Sequence, residues 1–78
     1  MQSGDHEGAI DIFKLIVATY PNSPNAYDSL ADGYAAAGQR VLAKQNAQKA
    51  IELLATDKTE TEDRKKLIRE SAEQKLRD

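Results

Sequence analysis

Two prolines, Pro21 and Pro24, mark the strongest structural boundary in this chain. They stand between two segments in which apolar residues recur at spacings of three and four. The residue before a proline is disfavoured in the helical conformation, so a first helix should end at Tyr20. Ser23 suits the N-cap of a second helix, and Pro24 suits its first position, where no backbone N–H is required. The segment therefore predicts one helix that ends and another that begins within a few residues.

Helical periodicity extends through the rest of the chain, and the alternation typical of strands never persists. We predict an all-α fold with four helices, at about residues 5–20, 24–37, 40–55 and 59–78. Asp5 is the expected N-cap of the first helix, and Gly38 is expected to end the second. Thr59 and Glu62 have the spacing of a capping box, which predicts that the fourth helix begins there.

The fourth helix differs from the others because most of its residues are charged. Pairs of opposite charge at i,i+4 spacing support an exposed helix; they are Glu60–Arg64, Glu62–Lys66 and Glu73–Arg77. Its apolar stripe is narrow and consists of Leu67, Ile68, Ala72 and Leu76. We expect a solvated helix docked by one edge. The alternative is a helix that binds a partner or forms a short coiled coil.

Composition restricts the classes of partner. The 78 residues suffice for one small domain, and the absence of cysteine excludes disulfides and thiolate zinc sites. Thirteen acidic residues against eleven basic ones, with only three tyrosines and one phenylalanine as aromatic residues, disfavour nucleic acid. No apolar run approaches the ~20 residues of a membrane span. We expect no nucleic-acid or membrane partner, and a soluble protein that is cytoplasmic if Met1 is its natural start.

The chain also repeats internally, at a period of about 34 residues. A shift of that length places Gly4 on Gly38 and Ala9 on Ala43, in the same order of turn and helix. The glycine and alanine matches therefore indicate a repeated supersecondary unit.

Two segments resemble the tetratricopeptide repeat, a helix–turn–helix unit. The signature W-x2-L-G-x2-Y of its first helix is matched, with Tyr for Trp and Ala for Gly, by Tyr27-x2-Leu30-Ala31-x2-Tyr34. The pattern A-x3-F and the closing proline of its second helix are matched by Ala9-x3-Phe13 with Pro21, and in part by Ala43-x3-Ala47.

This resemblance implies antiparallel helical hairpins in a right-handed superhelix. Residues 24–57 would form one full repeat, residues 4–23 the second half of a preceding repeat, and residues 58–78 a polar capping helix. The first helix would then lack its leading partner, and we expect an uncovered apolar patch that includes Ile10, Phe13 and Val17. Such a patch predicts a homodimer, or attachment to a longer protein.

The resemblance also implies where a partner would bind. In the family, the first helix of each hairpin lines a concave groove for an extended peptide. The corresponding residues of this chain are Asn25, Asp28, Ser29, Asp32, Ala35 and Ala36. Some family grooves clamp a terminal carboxylate with basic and amide side chains, a ligand that Asp28 and Asp32 would repel. We therefore expect a basic or neutral peptide or protein as the partner.

The residues needed for catalysis, for a metal or for a cofactor do not form a pattern in this sequence. His6 is the only histidine, and one histidine with flexible carboxylates rarely holds a metal ion. None of the serines stands in a plausible arrangement with His6, so a serine nucleophile is not expected. The glycines match no phosphate-binding loop. Asp28 and Asp32 lie on one helix face, but no second helix supplies a matching acid. The expected function is that of a non-catalytic interaction or scaffolding module.

A second interpretation remains open. Residues 25–34, NAYDSLADGY, also resemble short repeat tails appended to bacterial serine hydrolases of the esterase and β-lactamase-like kind. The chain would then be the non-catalytic C-terminal appendage of a larger enzyme and would mediate oligomerisation or docking. A third interpretation, a helical repeat that binds nucleic acid, is disfavoured by the acidic balance.

Overall fold

Four α-helices make up most of the chain in the computed structural model, which describes residues 6–77. They are α1 (His6–Thr19), α2 (Pro24–Ala36), α3 (Arg40–Leu54) and α4 (Glu62–Arg77). The described residues contain no strand, so the all-α prediction is confirmed. The expected N-cap Asp5 and the repeat position Gly4 lie outside the described residues.

The turn between α1 and α2 contains the N-cap that was predicted at Ser23. The Ser23 side chain accepts a hydrogen bond from the Ala26 N–H at 3.2 Å, and Pro24 is the first residue of α2. The Ser23 backbone is extended, with φ −89° and ψ 113°, as expected for an N-cap residue. The cap satisfies one of the N–H groups that the start of a helix leaves without an intrahelical acceptor.

Gly38 ends α2, as predicted, and turns the chain into α3. Its φ of +79° lies in the left-handed region, which glycine adopts without steric cost. The Gly38 N–H donates to the Ala35 carbonyl at 3.1 Å, and the Gln39 N–H donates to the Tyr34 carbonyl at 2.9 Å. These bonds satisfy carbonyls at the end of α2 and close the α2–α3 hairpin.

The start of α4 differs from the capping box predicted at Thr59. The Asp57 carboxylate accepts hydrogen bonds from the N–H groups of Thr59 and Glu60, at 3.2 and 2.8 Å, and so forms a turn before the helix. Thr61 caps α4 instead, because its hydroxyl accepts from the Arg64 N–H at 3.2 Å. The predicted cap is therefore wrong by two residues, because Asp57 binds Thr59 in a competing local turn.

The helices pack around α2, which contacts each of the other three, and α4 also packs on α3. One core cluster joins α1, α2 and α3; its buried residues are Ile10, Leu30, Tyr34 and Ala43. The second joins α2, α3 and α4 through four fully buried alanines, Ala31, Ala47, Ala50 and Ala72. We call this second group the alanine cluster. Its small side chains allow three helix backbones to approach one another closely.

α4 docks on the rest of the molecule by one edge. Ile68 and Ala72 are buried, whereas Leu67, although apolar, is largely exposed. Arg64 pairs with Glu60 at 3.4 Å, as predicted, but Glu62 pairs with Lys65, at 3.9 Å, and not with the predicted Lys66.

None of the helices within residues 6–77 is long and apolar enough to cross a membrane.

Candidate protein-interaction surfaces

The apolar residues of α1 lie on two sides of the helix. On the inner side Ile10 is buried, and Phe13 and Val17 are partly buried against the same core cluster. This contact depends on Gly33 of α2, because a Cβ at that position would lie 3.1 Å from Phe13 and 3.3 Å from Ile10. The expectation that Ile10, Phe13 and Val17 are uncovered is therefore wrong: α2 covers them.

The exposed apolar residues of α1 lie instead on its outer side. We call them the outer stripe; with their exposed fractions, they are Ile12 (61%), Leu15 (67%), Ile16 (37%) and Tyr20 (61%). Tyr20 follows the last residue of α1 and still donates its N–H to the Ile16 carbonyl at 2.8 Å, so it continues the same helical face. Spacings of three and four residues place all four side chains on one side of the helix.

Four of the residues predicted to line a groove form an exposed ridge along α2. We call Asn25, Ser29, Asp32 and Ala36 the α2 ridge; Ser29 is partly buried and the other three are exposed. Ala35 is also exposed, but it lies toward α4, where it lines a small pocket with Lys75. The ridge presents an amide, a hydroxyl and a carboxylate to solvent.

Asp28, the remaining predicted groove residue, is buried against α4. Its carboxylate accepts a hydrogen bond from Lys75 Nζ at 3.2 Å, and Asp32 lies 2.7 Å from the same ammonium group. Lys75 also donates to Ser71 Oγ at 2.7 Å. The Lys75 and Asp28 side chains are only 8% and 11% exposed. Asp28 thus binds another part of its own chain and is shielded from an external partner.

The contacts of Lys75 with Asp28 and Asp32 leave a weak negative charge along the α2 ridge. Burial raises the pKa of Asp28 above its ordinary value of 3.8, although the nearby Lys75 favours the ionised form. One ammonium group lies against two carboxylates, so Lys75 offsets only one of the two negative charges. Asp28 and Lys75 are 47 residues apart in the sequence, and local periodicity therefore gave no sign of this contact.

Clefts also occur between the described helices. One cleft, of about 870 Å³, lies at the ends of α1 and α3, where Tyr20 and Leu53 line it together with turn residues. A smaller pocket of about 250 Å³ lies beside Lys75 and Lys44. Within residues 6–77 there is no group of three or more His, Cys, Asp or Glu side chains that could hold a metal ion.

No family model matches this chain, and comparison with curated proteins and with solved structures gives no significant similarity.

Proposed function

We propose that this chain is a non-catalytic protein–protein interaction module of the tetratricopeptide type. The proposal rests on α1, which has apolar residues on two sides but, among the described helices, packs its backbone against α2 alone. A helix that is hydrophobic on both sides is normally enclosed between partners. The outer stripe is therefore the surface that a partner is expected to cover.

The residues that resemble the repeat signature occupy packing positions, which supports this proposal. Leu30, Ala31 and Tyr34 are buried, and Tyr27 packs against the alanine cluster. The charged helix α4 packs on α3 and α2 by an edge that includes Ile68 and Ala72, as a polar capping helix would. The signature residues thus contribute to the fold, and any partner must use the surfaces that they leave free.

The α2 ridge is the second contact surface in this proposal. Asn25 and Ser29 offer hydrogen-bond donors and acceptors, and Asp32 carries the exposed negative charge. Charge complementarity favours a basic or neutral peptide or protein over an acidic tail. Because the ridge belongs to a single helix, binding through it alone should be weak.

A synthetic amphipathic helix tests the outer stripe as a docking surface. The probe is a peptide of about three heptads with leucine at the a and d positions and alternating lysine and glutamate elsewhere. Titrated into isotope-labelled protein, it should shift the backbone amide signals of Ile12–Tyr20, and the Leu15→Glu variant should lose these shifts. A peptide of the same composition in scrambled order is the control. Equal shifts with both peptides, or none with either, would contradict the proposal.

The open outer stripe also favours a second candidate function. The chain would be the C-terminal appendage of a larger bacterial enzyme of the serine hydrolase or esterase kind, with a preceding segment packed on α1. It would then mediate oligomerisation or docking while the catalytic residues lie elsewhere. The coding sequence upstream of the Met1 codon distinguishes the candidates: a continuous reading frame supports the appendage, and an in-frame stop codon excludes it.

A further inference from the structure

Side-chain size increases along one row of the outer side of α1. The row follows i,i+4 spacing and consists of Gly8, Ile12, Ile16 and Tyr20. It begins with a residue that has no side chain and ends with a large aromatic ring. No charged residue lies in the row, so its centre can be desolvated without burying a charge.

A second copy in antiparallel orientation reverses this order of sizes. When two α1 helices cross about a two-fold axis level with Lys14, Tyr20 of one copy lies opposite Gly8 of the other. In the same register Ile12 of each copy lies opposite Ile16 of the other. Packing between two i±4 rows is the commonest arrangement of helix pairs in globular proteins. The row is thus complementary to itself, as a two-fold interface requires.

Charged side chains of α1 lie away from this row. Glu7, Asp11 and Lys14 line a pocket on the opposite flank, which they share with Tyr34 of α2 and Leu42 of α3. A second copy on the outer stripe would therefore meet apolar side chains, and the charges would stay at the rim. Such a surface has an apolar centre and a polar edge, as in protein interfaces generally.

Exposed apolar surface is concentrated on α1. The other large apolar residues with high exposure among residues 6–77, Val41 and Leu67, lie singly on α3 and α4. The outer stripe exposes on the order of 400 Å² of apolar surface, within the range of the largest patches on monomeric proteins. Two copies would bury on the order of 800–1,000 Å² together, near the lower limit for a specific interface. This area fits a reversible dimer.

We propose that the outer stripe binds a second copy of this chain through antiparallel packing of two α1 helices. The inference rests on the proposed function and identifies the partner of the same surface. Size complementarity sets the register, in which Tyr20 of one copy lies opposite Gly8 of the other and the two isoleucines of each copy meet those of the other.

Sedimentation velocity over protein concentrations from about 10 µM to about 1 mM tests this dimer. The unmodified chain should pass reversibly from monomer to dimer in this range. Ile12→Lys and Ile16→Glu each place a charge against an isoleucine, and each should weaken association at least tenfold. Leu67→Lys is the matched control, because Leu67 is also 61% exposed but lies on α4; it should leave association unchanged.

The double variant Ile12→Lys/Ile16→Glu tests the register. In the antiparallel pair each introduced lysine faces an introduced glutamate, so the double variant should associate more strongly than either single variant. A double variant as monomeric as the single ones would overturn the register. Circular dichroism of each variant verifies that the helices are retained.

Two results would overturn the dimer itself: an unmodified chain that stays monomeric at about 1 mM, or association that Ile12→Lys leaves unchanged. If the chain is monomeric but still binds the synthetic amphipathic helix, the proposed dimer is rejected and the proposed function is retained. A monomeric chain that does not bind that peptide would contradict both.

Discussion

Lys75 joins α4 to the acidic side of α2 through two carboxylates. Its ammonium group lies 3.2 Å from Asp28 and 2.7 Å from Asp32. Removing one member of a buried ion pair is strongly destabilising, because the other charge remains buried without compensation. Replacing both members by neutral groups of similar size has a much smaller effect. Asp28, buried at the same contact, is the group that depends most on Lys75.

Lys75→Met should lower the free energy of unfolding by roughly 2–4 kcal/mol at neutral pH, because Asp28 loses its cation. Urea titration followed by circular dichroism measures this change. Lys66→Met, at an exposed position of the same helix, is the matched control and should change stability by less than about 0.5 kcal/mol. The double variant Asp28→Asn/Lys75→Met should recover most of the loss. Equal effects of the two lysine substitutions would contradict this role.

Asp57 makes the turn before α4 sensitive to acid. Hydrogen bonds from the Glu60 N–H and from Thr59 hold the pKa of Asp57 below its ordinary value of 3.8. A carboxyl group with a lowered pKa contributes stability above its ordinary pKa and loses that contribution as the pH falls through the folded value. The amide signals of Thr59 and Glu60 should therefore shift together in one step below pH 3.8. This step should be absent in the Asp57→Asn variant. If the midpoint of the step in the unmodified chain lay above pH 3.8, the hydrogen-bonded turn at Asp57 would be contradicted.

At the scale of the helices, the α2–α3 connection depends on the left-handed conformation of Gly38. A Cβ at this position would meet no atom within 4 Å, so the cost of a side chain comes from the backbone alone. Gly38→Ala should lower the free energy of unfolding by about 1–2 kcal/mol, and Gly38→Asn by less, because asparagine tolerates this conformation better. Thermal unfolding of both variants measures the difference. An alanine variant as stable as the unmodified chain would contradict the left-handed turn.

Helix boundaries at the two prolines and at Gly38 were predictable because the signals are local. Ser23 and Pro24 act on the same few backbone groups that they cap, and Gly38 acts through its own φ. The start of α4 was not predictable in this way, because Thr59 and Thr61 are both possible caps there. Thr59 is held in a turn by its hydrogen bond to Asp57, and the residue that caps α4 is Thr61.

The side on which α1 contacts α2 was not predictable from periodicity. Apolar residues surround most of this helix, so their spacing fits either side as the buried one. The informative residue lies in another helix: Gly33 leaves the space that Phe13 and Ile10 occupy. The prediction that Asp28 faces an open groove is wrong for a related reason, since its partner Lys75 is remote in sequence.

At the scale of the whole molecule, the two core clusters hold the chain together in different ways. The cluster around Ile10, Leu30 and Tyr34 uses large side chains between α1, α2 and α3. The alanine cluster brings α4 close to α2 and α3 with little side-chain volume. The close approach of α4 is what lets Lys75 reach Asp28 and Asp32. The charge of the α2 ridge is therefore set by helix packing and not by the α2 sequence alone.

This charge predicts a selective, weak interaction with basic peptides. Tetralysine should shift the amide signals of Asn25 and Asp32 in a titration followed by NMR, because Lys75 offsets only one of the two carboxylates. Tetraglutamate should not shift them, and Asp32→Asn should weaken the response to tetralysine. The shifts should diminish as salt is added, since exposed charges are screened beyond ~10 Å at 0.1 M ionic strength. Shifts produced only by the acidic peptide would mean that Lys75, and not Asp32, dominates the electrostatic potential along α2.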